Sequence, residues 1–151
     1  MLRKLFNKEK KNNLNDENIL IISLLIHAAK IDENYSEAEK KIIIKAIMEL
    51  NKVGFDVAAK LLKLAEKKEE ESNQIVEFTK EVKKYSMEFR LKVIEIIWKI
   101  VYSDGTSDNY ETNLVRRICG LLYVSDKDSG IIKTRIHAFI FQIIPLLTLY
   151  N

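Results

Sequence analysis

The sequence predicts an all-helical fold, a single bundle of about seven helices, and three observations lead there. Only four glycines and one proline interrupt 151 residues, too few for the turns of a sheet protein. Apolar residues recur at helical spacing along most of the chain. Two segments, Ile19–Ala29 and Met87–Val101, are apolar almost all round, the mark of helices buried at the centre of a bundle.

The elements follow in order. After Asp16 the first central helix runs through Ala29 and ends in the bend Ile31-Asp32-Glu33-Asn34-Tyr35. Ser36 starts a second helix with Ile42, Ile43, Ala46, Ile47 and Leu50 at helical spacing. Gly54 breaks it, and a third helix spans about Phe55 to Glu69 with Val57, Ala58, Leu61, Leu62 and Ala65 inward. Ser72 or Asn73 is the expected cap of a short fourth helix carrying Ile75, Val76, Phe78 and Val82. Ser86 caps the second central helix, which ends in the bend Ser103-Asp104-Gly105-Thr106-Ser107. A sixth helix spans about Asp108 to Tyr123, and Ser125 caps the last, with Ile131, Ile132, Ile136 and Phe139 inward.

The two bends match. Asp32 and Asp104 lie 104 − 32 = 72 residues apart, as do Glu39 and Glu111, 111 − 39 = 72. Ile43 with Val115, Ile47 with Cys119 and Leu50 with Leu122 fall into the same register. The chain therefore reads as two pseudo-symmetric halves, each helix–acidic turn–helix. Two readings of the turns stand side by side. Ser36-x-x-Glu39 and Asp108-x-x-Glu111 have the form of capping boxes, with Asp32 and Asp104 as turn residues. The same bends crowd carboxylates: Asp32, Glu33, Glu37 and Glu39 in one, Asp104, Asp108 and Glu111 in the other. Such oxygen donors suit a hard divalent cation, calcium or magnesium, although the spacing is not that of an EF-hand loop.

Composition narrows function further. A net charge of +3 without a face-long basic stripe argues against nucleic acid. Cys119 is the only cysteine, which excludes an internal disulfide and cysteine metal clusters; set among Leu114, Val115, Ile118 and Leu122, it reads as a small buried hydrophobe. His27 and His137, the only histidines, fit no ligand or base pattern, and neither a nucleophile–base pair nor a phosphate-cradling glycine loop is present. The expectation is a non-enzymatic protein. The run Glu66–Glu71 reads as a solvated helix end.

Three segments are expected: a basic, flexible N-terminal segment 1–16, a helical domain 17–137 and an apolar tail 138–151. The tail is too short for a comfortable membrane span and contains Pro145. It packs along the bundle, pairs with a second copy in a homodimer, or rests on a protein partner or a membrane. No secretory signal is evident, so the expected location is cytoplasmic, or peripheral at the inner face of the membrane.

The stretches Tyr85–Arg90, Ile97-Trp98-Lys99-Ile100-Val101-Tyr102-Ser103-Asp104-Gly105, Glu111 with Arg116-Arg117-Ile118, and Leu121–Ser125 resemble the TerB family of tellurite-resistance-associated proteins. Ala28–Asp32 through Glu39 resembles the family's first acidic turn, and the likeness spans roughly 17–137. It implies about seven helices, a stress-response role and metal at the acidic turns. The fold also occurs at the N-terminal side of a membrane-anchored DnaJ-type co-chaperone, which implies the alternative role of a membrane-associated scaffold or co-chaperone-type adaptor using the basic N-terminus and the apolar tail. Two features depart from the family: Glu33 stands where it usually has Gly, and the tail from His137 onward is unusually apolar.

Overall fold

The computed structural model describes residues 2–72, 74–104 and 109–149, and within these the side chains of 2–15, 104, 109, 110, 141 and 143–149 are not described. Seven α-helices follow one another, with no strand among the described residues: α1 Leu2–Ala29, α2 Glu37–Asn51, α3 Phe55–Glu71, α4 Ile75–Val82, α5 Met87–Val101, α6 Asn109–Leu121 and α7 Asp126–Leu149. Short 3-10 turns, Lys30–Asp32 and Tyr102–Asp104, follow α1 and α5. These turns are themselves 102 − 30 = 72 residues apart, as are the starts of α2 and α6, 109 − 37 = 72.

The all-round apolar segments take the centre. Every residue from Ile21 to Ile26 is buried, Ser23 among them, and Ser23 Oγ meets its needs by donating to the Ile19 carbonyl at 2.7 Å. In α5, Val93, Ile94, Ile96, Ile97, Trp98, Ile100 and Val101 are buried. α1 packs chiefly on α3 and α4, α5 packs on α7 and α2, and the two central helices touch each other. Each thus covers apolar surface that an amphipathic neighbour alone could not.

Local chemistry sets the helix starts. Ser36 and Glu39 form a complete capping box: Ser36 Oγ accepts from the Glu39 N–H at 3.2 Å, and Glu39 Oε1 accepts from the Ser36 N–H at 3.2 Å. Ser86 caps α5 by accepting from Phe89 N–H, and Ser125 accepts from Asp128 N–H at the start of α7. Arg90 ties the start of α5 to the end of α6 through a 2.8 Å bond from Nη1 to the Leu122 carbonyl.

Several expectations need correction. Helical backbone is assigned from Leu2, so residues 2–16 of the basic stretch fall within the bounds of α1. α3 continues to Glu71, two residues beyond the expected Glu69. Ser72 does not cap α4; its hydroxyl donates to the Glu77 carboxylate, and Gln74 takes the cap position without a side-chain bond, while Asn73 lies outside the described residues. Val57, Ile131 and Phe139, expected inward, are exposed, and Leu50 is only half-buried where Leu122 is fully buried. Periodicity identifies an apolar stripe, but neighbouring helices cover only part of it. α7 runs as one helix through Pro145 to Leu149, so the apolar tail extends this helix.

Glu33 adopts the left-handed conformation at φ 62°, its N–H closing the turn on the Lys30 carbonyl at 3.1 Å. A β-carbon is disfavoured there, whereas glycine is not. Glu33→Gly is therefore expected to raise stability by up to about 1 kcal/mol, read as a higher urea midpoint with an unchanged m-value. A fall in the midpoint would show that the Glu33 side chain contributes more than its backbone conformation costs.

Candidate acidic site between the two bends

The bends lie at the C-terminal ends of the central helices, where α1 and α5 give way to 3-10 turns and the next helix starts afresh. The 3-10 turn after α1 packs against α6, which brings the first bend to the second half of the chain. At that junction Asp32, Glu39 and Glu111 line one small cavity of about 10 Å3 together with Ala28, Ala29, Ile31, Ile100, Val101 and Ser103. Its volume is about that of a single water-sized occupant. Glu39 and Glu111 are each only 6% exposed, so two carboxylates from opposite halves are buried at one site.

The candidate ligands divide. Asp32, at the end of its 3-10 turn, accepts from the Asn34 N–H on Oδ1 at 3.0 Å, an Asx turn that leaves Oδ2 free of that bond. Glu39 Oε1 serves the capping box and also accepts from the Ser36 hydroxyl at 2.9 Å. Glu111 enters from the first turn of α6. Glu33 and Glu37 are exposed and do not line the cavity; Glu37 instead faces Lys40 at 3.5 Å. Asp104 closes the second 3-10 turn, its side chain not described, and Asp108, with the second expected capping box, lies outside the described residues. Among the described residues, no three His, Cys, Asp or Glu side chains are grouped to hold a metal ion.

The surroundings are electronegative. Among the described residues the buried Tyr35 hydroxyl has no hydrogen-bond partner. Burial, and then the negative charges of Glu66, Glu39, Glu37 and Glu69, push its ionisation well above the ordinary phenol range. Lys40 and Lys30 lie over the Tyr35 ring, 4.9 and 5.8 Å from its centroid. They supply positive charge on the flank of the bend, while the charged residues described in the cavity lining are all acids.

Glu69 and Glu81 are buried as well, and sequence inspection misses both. Glu69, inside a run of lysines and glutamates, is turned inward, where it accepts from Lys30 Nζ at 2.8 Å and lies 3.3 Å from His27 Nδ1. The signal available was its place in α3 four residues after the buried Ala65, on the inward face. Cys119 is buried as expected, and burial raises its thiol above the ordinary range, consistent with an inert core position.

The geometry defines an all-helical bundle in which Asp32, Glu39 and Glu111 line one small, partly open cavity. The family model described as tellurite resistance protein TerB matches residues 18–134. The chain belongs to the TerB family. No curated protein and no solved structure matches it.

Proposed function

We propose that the chain is a non-enzymatic binding module of stress response, of the tellurite-resistance type, that takes up one divalent cation where its acidic bends converge. The observation that carries the reading is the burial of Glu39 and Glu111 beside the same small cavity, with Asp32 at its edge. Two carboxylates brought to one buried site repel even where each has hydrogen-bond partners, and a cation between them offsets that cost. The donors are all oxygen, which suits calcium or magnesium. Asp104 and Asp108 are the further oxygen donors that the sequence of the second bend offers to such a cation. The cation then acts as a clamp between the halves and couples its concentration to the rigidity of this end of the bundle.

Calorimetric titration of metal-stripped protein with calcium and magnesium tests the proposal. One equivalent of heat with a rise in melting temperature is expected. Absence of heat with either ion would leave the carboxylates as helix caps alone.

A second reading, a peripheral scaffold or co-chaperone-type adaptor at the membrane, is favoured by the helical backbone continuing through the apolar tail to Leu149, with Phe139 exposed near its start. Among the described residues no helix is long and apolar enough to cross a membrane. This adaptor would therefore rest on the surface, with the basic stretch 1–16 facing anionic headgroups. Co-sedimentation with anionic vesicles, lost on deletion of 138–151, is the expected result. Full-length protein remaining in the supernatant would rule it out.

A further inference from the structure

On another face of the bundle, α5 packs against both α2 and α7, while α2 and α7 share no extensive contact. The result is a groove of about 470 Å3 floored by α5 and walled by the other two helices. Its body is apolar: Ile42 of α2, Ile96 of α5, and Ile136, Phe139 and Ile140 of α7. Phe139 is 62% exposed although it borders this apolar hollow, so the groove is built but not filled by the described side chains. Volume and lining fall in the range of small-molecule sites, apolar with a few polar groups at the edge.

The charges at the edge define the head of the ligand. Lys45, Lys92 and Lys99 line the groove with Glu49. Lys92 and Lys99 share one carboxylate, Glu95, at 3.5 and 3.4 Å. Three cations against Glu49 and Glu95 leave one positive charge in excess. Of these three lysines, Lys45 is the one with no ion pair among the described residues. One excess cation above an apolar slot is complementary to a monoanionic head on an alkyl body. A docked helix fits less well: at about 10 Å across it fills roughly 420 Å3 per turn, so scarcely one turn would enter. Helix-in-groove recognition needs anchors from i to i+7.

We propose that the α2–α5–α7 groove binds a monomeric long-chain carboxylate, its alkyl chain against Ile42, Ile96, Ile136 and Phe139 and its carboxylate at Lys45. The site is separate from the acidic cavity, although Ser103 borders both.

Full-length protein is titrated with octanoate, decanoate and laurate below their micellar concentrations, and with dodecanol. Affinity is expected to rise roughly fourfold per added methylene. Dodecanol should bind about fivefold more weakly than laurate. Phe139→Glu, at an exposed position, should lower laurate affinity at least tenfold without loss of helical circular dichroism, and without altering the calcium response. Lys45→Gln should abolish the preference for laurate over dodecanol, which decides the matter even if Phe139→Glu fails to fold. No binding by any chain length up to millimolar concentration, affinity independent of chain length, an unchanged preference in Lys45→Gln, or binding seen only to vesicles would overturn the proposal; the last would identify a lipid surface as the partner.

Discussion

Trp98→Ala is expected to cost about 3–5 kcal/mol, the upper range for truncating a buried aromatic. Trp98 is buried at the crossing of α5 and α7, and it does more there than fill volume. Its indole N–H donates to Ser129 Oγ at 3.1 Å, its ring stacks on Tyr102 with centroids 5.9 Å apart, and Lys133 Nζ lies 5.1 Å from the ring centroid. Alanine removes the side chain that joins the floor of the groove to its α7 wall, and leaves the buried Ser129 hydroxyl without the indole donor. For a chain of this size each kcal/mol corresponds to roughly 2–4 °C, so melting is expected to fall by about 10 °C. Circular dichroism measures it. Trp98→Phe, which keeps most of the ring volume, should lose about half as much. A loss under about 1 kcal/mol for the alanine variant would mean that α7 docks independently of α5.

The helices were legible in the sequence because their causes are local. Ile19–Ala29 is apolar on nearly every side, and Met87–Val101 is apolar except along the stripe Glu88, Lys92, Glu95 and Lys99, so both are stable in water only when most of their surface is covered. Ser36 and Glu39, three residues apart, form their reciprocal bonds whatever the rest of the chain does. What the sequence hid depends on distant neighbours. Glu39 and Glu111 were each recognisable as acids in a bend, and their equal spacing from Asp32 and Asp104 paired them, but nothing in the chain order says that both reach one cavity. Glu69 looked like one more charge in a solvated run because its partners, Lys30 and His27, belong to α1 and its continuation. Val57, Ile131 and Phe139 failed for the opposite reason: their spacing is right for an inward face, but among the described residues nothing covers them. Phe139 thereby borders an open groove. The second bend remains where the sequence left it, since Asp108 lies outside the described residues.

Glu111→Gln separates the two readings of the acidic bends by the sign of its effect. Glu111 and Glu39 are buried at the same cavity, and glutamine preserves the volume of Glu111 while removing its charge. Without metal, loss of the mutual repulsion is expected to raise stability by about 1 kcal/mol. With calcium at a hundred times the dissociation constant, wild type gains about 2.7 kcal/mol, a rise of roughly 5–10 °C, and the variant gains nothing. The variant is thus the more stable form in chelator and the less stable in calcium, a crossing that helix capping alone cannot generate. Such a crossing is the expected signature of acids kept together for binding at a cost to the free fold. Thermal melts of both proteins in chelator and in calcium read it directly. An equal calcium gain in the two proteins would move the cation away from this cavity, and a variant destabilised under both conditions would make Glu111 a structural acid.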